Sequence, residues 1–112
     1  MKDFATIEER ANAVQAAAAQ AFRRLVELAE NHRSGQAARI ARFLASTYDG
    51  ETFPFDPFDL RTVDVAISDD MLTCLDALRW GKADLHKLLP DGQPRLLKIL
   101  EDWNIERPGS AG

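Results

Sequence analysis

Carboxylates are the residues best able to do chemistry in this 112-residue chain, and they gather in one place. From Asp49 to Asp70 seven acids (Asp49, Glu51, Asp56, Asp59, Asp64, Asp69 and Asp70) face one base, Arg61, so the stretch carries −6 in a chain of net charge −4. Oxygen ligands at alternating positions could hold a hard cation, and two facing carboxyls could serve as an acid/base pair. Asp49-Gly50-Glu51 resembles a fragment of a calcium loop, but the alternation that such a loop needs over about twelve residues is missing. A metal-dependent hydrolase is therefore only a third reading. His32 and His86 lack a helical pair spacing and cysteine companions, which argues against zinc. Cys74 is the only cysteine and sits in apolar Leu72-Thr73-Cys74-Leu75, where a buried thiol is expected. Ser34, Ser46, Ser68 and Ser110 have no glycine elbow, and Gly35, Gly50, Gly81 and Gly92 each fall singly, so no phosphate-cradling loop exists. The expectation is a non-enzymatic protein with no catalytic residues, no metal and no cofactor.

Binding chemistry is better represented. Within the acidic stretch, Phe53-Pro54-Phe55-Asp56-Pro57-Phe58-Asp59-Leu60 alternates aromatics, rigid prolines and carboxylates. Such a segment either staples a connector onto a core or presents aromatic anchors beside charge, as interfaces do. The partner-binding candidates are Asp49, Glu51, Phe53, Phe55, Asp56, Phe58, Asp59 and Asp64. Basic residues supply the alternative reading, a DNA-associated regulator using Arg23, Arg24, Arg39 and Arg42, or Arg79, Lys82 and Lys87. Ala77 and Gly81 have the spacing of a helix-turn-helix step, but the second helix of that motif needs apolar residues where Lys87 and Pro90 stand. A pI near 5.1 also disfavours nucleic acid and membrane surfaces.

The elements that would position these residues read as all-α. Thr6 and Glu9 form a capping box, predicting that the first helix starts there. Phe4, Ile7, Ala11, Val14, Ala18, Ala21, Leu25 and Leu28 recur at alternating spacings of three and four, a heptad seam that suits either the chain's own core or a homodimer with a second copy. His32 falls near that helix's C-terminus, where a partial positive charge is favoured. After Asn31–Gly35 a second helix, roughly 35–48, carries Ala37, Ile40, Ala41, Leu44 and Tyr48 on one face, with Arg39 and Arg42 on a solvated one. The short break predicts a helical hairpin. Asp56-Pro57 caps one or two helical turns. Asp64–Ile67 could pass for a short strand, though no partner strand is apparent. Ser68 then caps a helix that buries Leu72, Leu75 and Leu78 and ends at Trp80-Gly81. Asp84 caps a short helix over Leu85–Leu89, and Pro94 opens a last one with Leu96, Leu97, Leu100 and Trp103 on its apolar side. The expected organisation is one helical domain over 1–106: a hairpin (1–48), an acidic aromatic connector (49–67), short helices (68–106) and a disordered tail (107–112). No apolar run approaches a membrane span, and Met-Lys-Asp-Phe-Ala-Thr lacks the order of a signal peptide, so a reducing cytoplasm is expected.

From the second helix onward the chain resembles a domain family of unknown function found in small proteins of bacterial plasmids, integrative elements and phages. The residues carrying the resemblance are Ser34-Gly35-Gln36-Ala37-Ala38-Arg39-Ile40-Ala41-Arg42-Phe43-Leu44, then Phe53-Pro54-Phe55-Asp56, Asp59-Leu60-Arg61, and Asp69-Asp70-Met71-Leu72-Thr73-Cys74-Leu75 with Leu78. It covers about two-thirds of the chain and leaves the alanine-rich first helix outside. The resemblance implies an accessory protein of a mobile element and brings no catalytic residues. Together with the −6 segment, it leads to an expected interaction protein that engages a host or element protein. One such role is inhibition of a defence complex such as a CRISPR effector, by an acidic surface occupying a basic channel.

Overall fold

In a computed structural model, residues 4–105 are described; the predicted tail, 107–112, lies outside them. The first helix, α1, spans Phe4–Asn31 and is the spine of the molecule. Its alanines favour helix and let neighbours approach closely. Thr6 lies inside α1 rather than capping it: the apolar periodicity that begins at Phe4 extends the helix past the capping-box signal. Over 28 residues the helix is about 42 Å long at the usual rise, within a molecule of 55 × 26 × 25 Å.

The chain turns at His32 and Arg33, and α2 (Gly35–Tyr48) begins where the Ser34 side chain accepts from the Ala37 N–H at 3.1 Å. Two 3-10 turns, Pro57–Arg61 and Leu85–Leu88, separate the remaining helices, α3 (Val65–Trp80) and α4 (Gly92–Asp102). The strand-like Asp64–Ile67 is the start of α3, with Asp64 at its N-cap. Ser68 lies within its first turn, and the Ser68 hydroxyl donates to the Val65 carbonyl. The predicted cap was one turn late because Val65 and Ile67 have strand-forming side chains but no strand to pair with. At the other end Gly81 takes a left-handed conformation (φ 65°) that closes the helix. The last helix starts at Gly92, two residues before Pro94. Gly92 is buried so closely against the His86 carbonyl that a Cβ there would overlap it.

The core is built on α1. Phe22, Leu25 and Val26 of α1 and Ile40, Phe43 and Leu44 of α2 meet Met71 and Cys74 of α3, with Leu85, Leu96 and Ile99 closing the far side. Ion pairs Arg24–Asp70 (2.8 Å) and Lys82–Glu8 (2.8 Å) tie opposite ends of α1 and α3, so these two helices run antiparallel. Arg95 and Glu30 clamp α4 to α1 at 2.7 Å, and the Trp103 indole donates to the Ala29 carbonyl at 3.0 Å. The all-α architecture with a long first helix is the one expected.

Two helical registers differ from expectation. On α3 the buried positions are Met71, Cys74 and Ala77, while Leu72, Leu75 and Leu78 are 51%, 39% and 39% exposed. The core stripe thus runs one residue earlier than the leucines, with Met71 and Cys74 fully buried in the shared core. On α4 Ile99 is buried and Leu97 is exposed. The heptad seam of α1 is used inside the chain: Ala11, Ala18, Ala21 and Leu25 are buried, Val14 and Leu28 pack on the core, and Ile7 is exposed. The side chain of Phe4 lies outside the described set.

Candidate functional site

The acidic connector divides into residues that build it and residues that face solvent. The Asp49 carboxylate accepts from the backbone N–H of Thr52 (3.2 Å) and from its hydroxyl (2.5 Å), closing the turn after α2. Phe53 is half-buried on the core, and Phe55 meets Phe43 edge-on, with ring centroids 5.2 Å apart. These two phenylalanines are staples. Asp56 caps the first 3-10 turn by accepting from the Phe58 N–H at 3.0 Å, with Pro57 at its first position. Asp59 stands between Arg39 (3.9 Å) and Arg42 (3.6 Å), binding the connector to α2. The anticipated solvated arginine face is therefore a clasp, and the Arg39 Nε inside it is buried without a hydrogen bond. Phe58 remains 67% exposed, with the Arg61 guanidinium over its ring at 5.9 Å. Glu51 and Asp64 are exposed, and among the described residues neither side chain enters an ion pair.

Folding also weakens the acidic field, since Arg39, Arg42 and Arg24 approach acids that look unopposed in the linear sequence. The other candidate cations are likewise matched: Arg79 with Asp76, Lys82 with Glu8 and Lys87 with Asp84. The hydrogen bond from Lys82, and then its charge, hold the Glu8 carboxyl below its ordinary value. Beyond Gly81 the chain forms a four-residue 3-10 turn in place of a recognition helix. Among the described residues no three His, Cys, Asp or Glu gather where they could hold a metal ion. No helix there is long and apolar enough to cross a membrane.

A different surface emerges on α3. Leu72, Leu75 and Leu78 form an exposed ridge along the helix, with Val65 (74% exposed) at its start. Beside it an open groove of about 410 Å³ runs between α1 and α3, walled by Ala13, Val14 and Ala17 on one side and Leu72, Thr73 and Asp76 on the other. A second groove, about 570 Å³, lies at the far end of the same helix pair, where Leu28 and Ile67 sit beside the Arg24–Asp70 ion pair. The ridge escaped the sequence reading because Leu72-Leu75-Leu78 carries helical spacing as good as that of Met71-Cys74-Ala77. No charge signal separates the two stripes, since Asp70 precedes buried Cys74 by the same four-residue step with which Asp76 follows exposed Leu72.

Residues 19–104 match the family of unknown function DUF7673, and the chain belongs to that family. No curated protein and no solved structure matches it. The match opens in the middle of α1, so the first four turns of the spine lie outside it while α3, which they support, lies within.

Proposed function

We propose that this protein is a non-catalytic protein-interaction module acting through the exposed face of α3. The observation that carries the reading is the leucine ridge: three leucines on one helix, all at least 39% exposed, beside an alanine-walled groove. Scattered apolar residues are ordinary on a surface, but a contiguous ridge along one helix costs solvation until something covers it. Leucines in such a row match the way a helix face or a groove is recognised.

A second reading is favoured by Phe58. It is exposed beside Asp56 and within reach of Arg61, the arrangement of an aromatic anchor with polar neighbours. In this reading the protein serves a mobile element and uses its acidic connector against a host complex, a defence effector among the candidates. The charge asymmetry of the chain supports it; the arginine clasp on Asp59 reduces that support.

A pull-down from lysate of the natural host separates the two. Wild type would run beside Leu72→Lys/Leu75→Lys and beside Asp56→Asn/Phe58→Ala/Asp64→Asn, each first shown to melt like wild type. Loss of a captured protein in the leucine variant alone supports the α3 face, and loss in the connector variant alone supports the acidic anchor. Capture unchanged in both would reject both surfaces.

A further inference from the structure

Arg24 and Arg95, which bridge separate helices, each take a carboxylate of their own. Arg24 forks onto Asp70 at 3.0 and 2.8 Å, and Arg95 onto Glu30 at 2.9 and 2.7 Å. Arg39 and Arg42 break that pattern. Nearly one turn apart on α2, they share Asp59, at 3.9 and 3.6 Å, distances too long for a hydrogen bond from either. The Arg39 Nε is buried with no acceptor. Neighbouring side-chain oxygens are committed elsewhere: Gln36, three residues before Arg39, accepts from the Asp64 N–H at 2.6 Å, and Asp56, three before Asp59, accepts from the Phe58 N–H at 3.0 Å. Both guanidiniums still reach solvent, Arg39 being 34% and Arg42 48% exposed. Two forks of donors therefore stand open around one carboxylate that bonds to neither.

We propose that Arg39 and Arg42 form a binding site for a tetrahedral oxyanion, inorganic phosphate or a small phosphate ester, in which Asp59 is the resident substitute. A guanidinium presents its N–H groups in a rigid fork that suits two acceptor oxygens at a time. A carboxylate has two oxygens and can fill one such fork. Set between two arginines, Asp59 satisfies neither. A phosphate group offers at least three strong acceptor oxygens and about −1.5 to −2 of charge, enough to accept from both forks at once. Asp59 and the ligand then compete for the same donors and repel each other. That competition makes the site weak, with a Kd on the order of a millimolar for inorganic phosphate. It also gives Asp59 a distinctive signature. Repulsion between unit charges about 4 Å apart in water corresponds to roughly five-fold in affinity, so removing the Asp59 charge should tighten binding by about that factor. The site needs no contribution from the leucines of α3, so it stands whether or not that face binds a partner.

The test titrates inorganic phosphate into the whole chain, with sodium chloride holding the ionic strength constant. Arginine Nε–H signals are followed by NMR at slightly acidic pH, where these protons exchange slowly. Each variant is first shown to keep the wild-type backbone spectrum. The Arg39 signal of wild type should shift and saturate, and Arg42→Gln should weaken binding at least about ten-fold, the loss of a charge-assisted fork. Asp59→Asn should bind phosphate more tightly than wild type although it melts lower without it. A clasp with only a structural role would not produce that opposite sign. Acetate at the same concentrations should move the signals far less. A shift that never saturates, equal binding in Arg42→Gln, or weaker binding in Asp59→Asn would each overturn the proposal. Acetate binding as tightly as phosphate would overturn the tetrahedral class of ligand.

Discussion

Burial pushes the Cys74 thiol up to about 12, with the Asp70 charge adding to the effect and Arg24 opposing it. Because the neutral thiol is favoured in the fold, its contribution to stability is complete below the ordinary thiol value near 9. It is lost as pH rises from there toward about 12, where the unfolded chain is already ionised and the folded one is not. Against Cys74→Ala, wild type should lose relative stability over that alkaline window, read from urea melts at a series of pH values. The same burial should leave Cys74 inert to thiol reagents until the protein opens. Asn104 offers an opposite kind of test. It holds φ 54° just after α4, while its N–H donates to the Glu101 carbonyl and that of Ile105 to Leu100, the two bonds of a Schellman stop. Glycine adopts this conformation without a Cβ penalty, so Asn104→Gly should raise stability by a few tenths to about 1 kcal/mol. A lower denaturant midpoint would show that the asparagine side chain matters more than its backbone.

At the scale of elements, the helices were legible wherever local chemistry marks them. Ser34 at the head of α2, Asp56-Pro57 at the first 3-10 turn and Gly81 after α3 all act as their residue types dictate. What the sequence leaves open is rotation: α3 has two adjacent helical stripes, and only packing on α1 selects Met71, Cys74 and Ala77 for the core. Long-range pairing is equally illegible. Nothing near Asp59 in the chain announces that Arg39 and Arg42, most of an α2 helix and a connector away, will take its charge. That clasp carries its own prediction. Asp59→Asn leaves two arginines, one with a buried Nε, facing no counter-charge. A partly exposed ion pair contributes little, so the expected loss is about 0.5–1 kcal/mol by urea denaturation. The loss should shrink in high salt, which screens the arginine repulsion left behind. No loss would show the clasp to be incidental, with Phe53, Phe55, Leu60 and Val63 holding the connector on the core.

For the whole molecule the decisive feature is that α3 is supported mainly by one helix. Its second half rests on the part of α1 that precedes the family match: Ala11 and Ala18 are buried there, Lys82 reaches Glu8, and Arg10 lies over the Trp80 ring at 5.4 Å. The seam that could have joined two copies thus serves instead as the bed for α3, and the leucines α3 cannot fit onto that bed form its outer face. If so, removing residues 1–18 should do more than shorten a terminus. It strips apolar cover from Ala77, Trp80 and Leu88, at an expected cost of about 2 kcal/mol in buried area, or a melting point lower by roughly 10 °C. Trp80 emission should shift to longer wavelength, while Trp103, bonded to Ala29 at the opposite end of α1, should report an unchanged core. Comparing Trp80→Phe and Trp103→Phe in the shortened chain assigns the signal. The shortened chain should also lose any protein captured through the leucines, because the groove wall formed by Ala13 and Ala17 is gone and α3 no longer presents a fixed leucine face. Unchanged melting together with unchanged capture would mean that α3 is held by the 3-10 turns and that the first half of the spine has no part in presenting it.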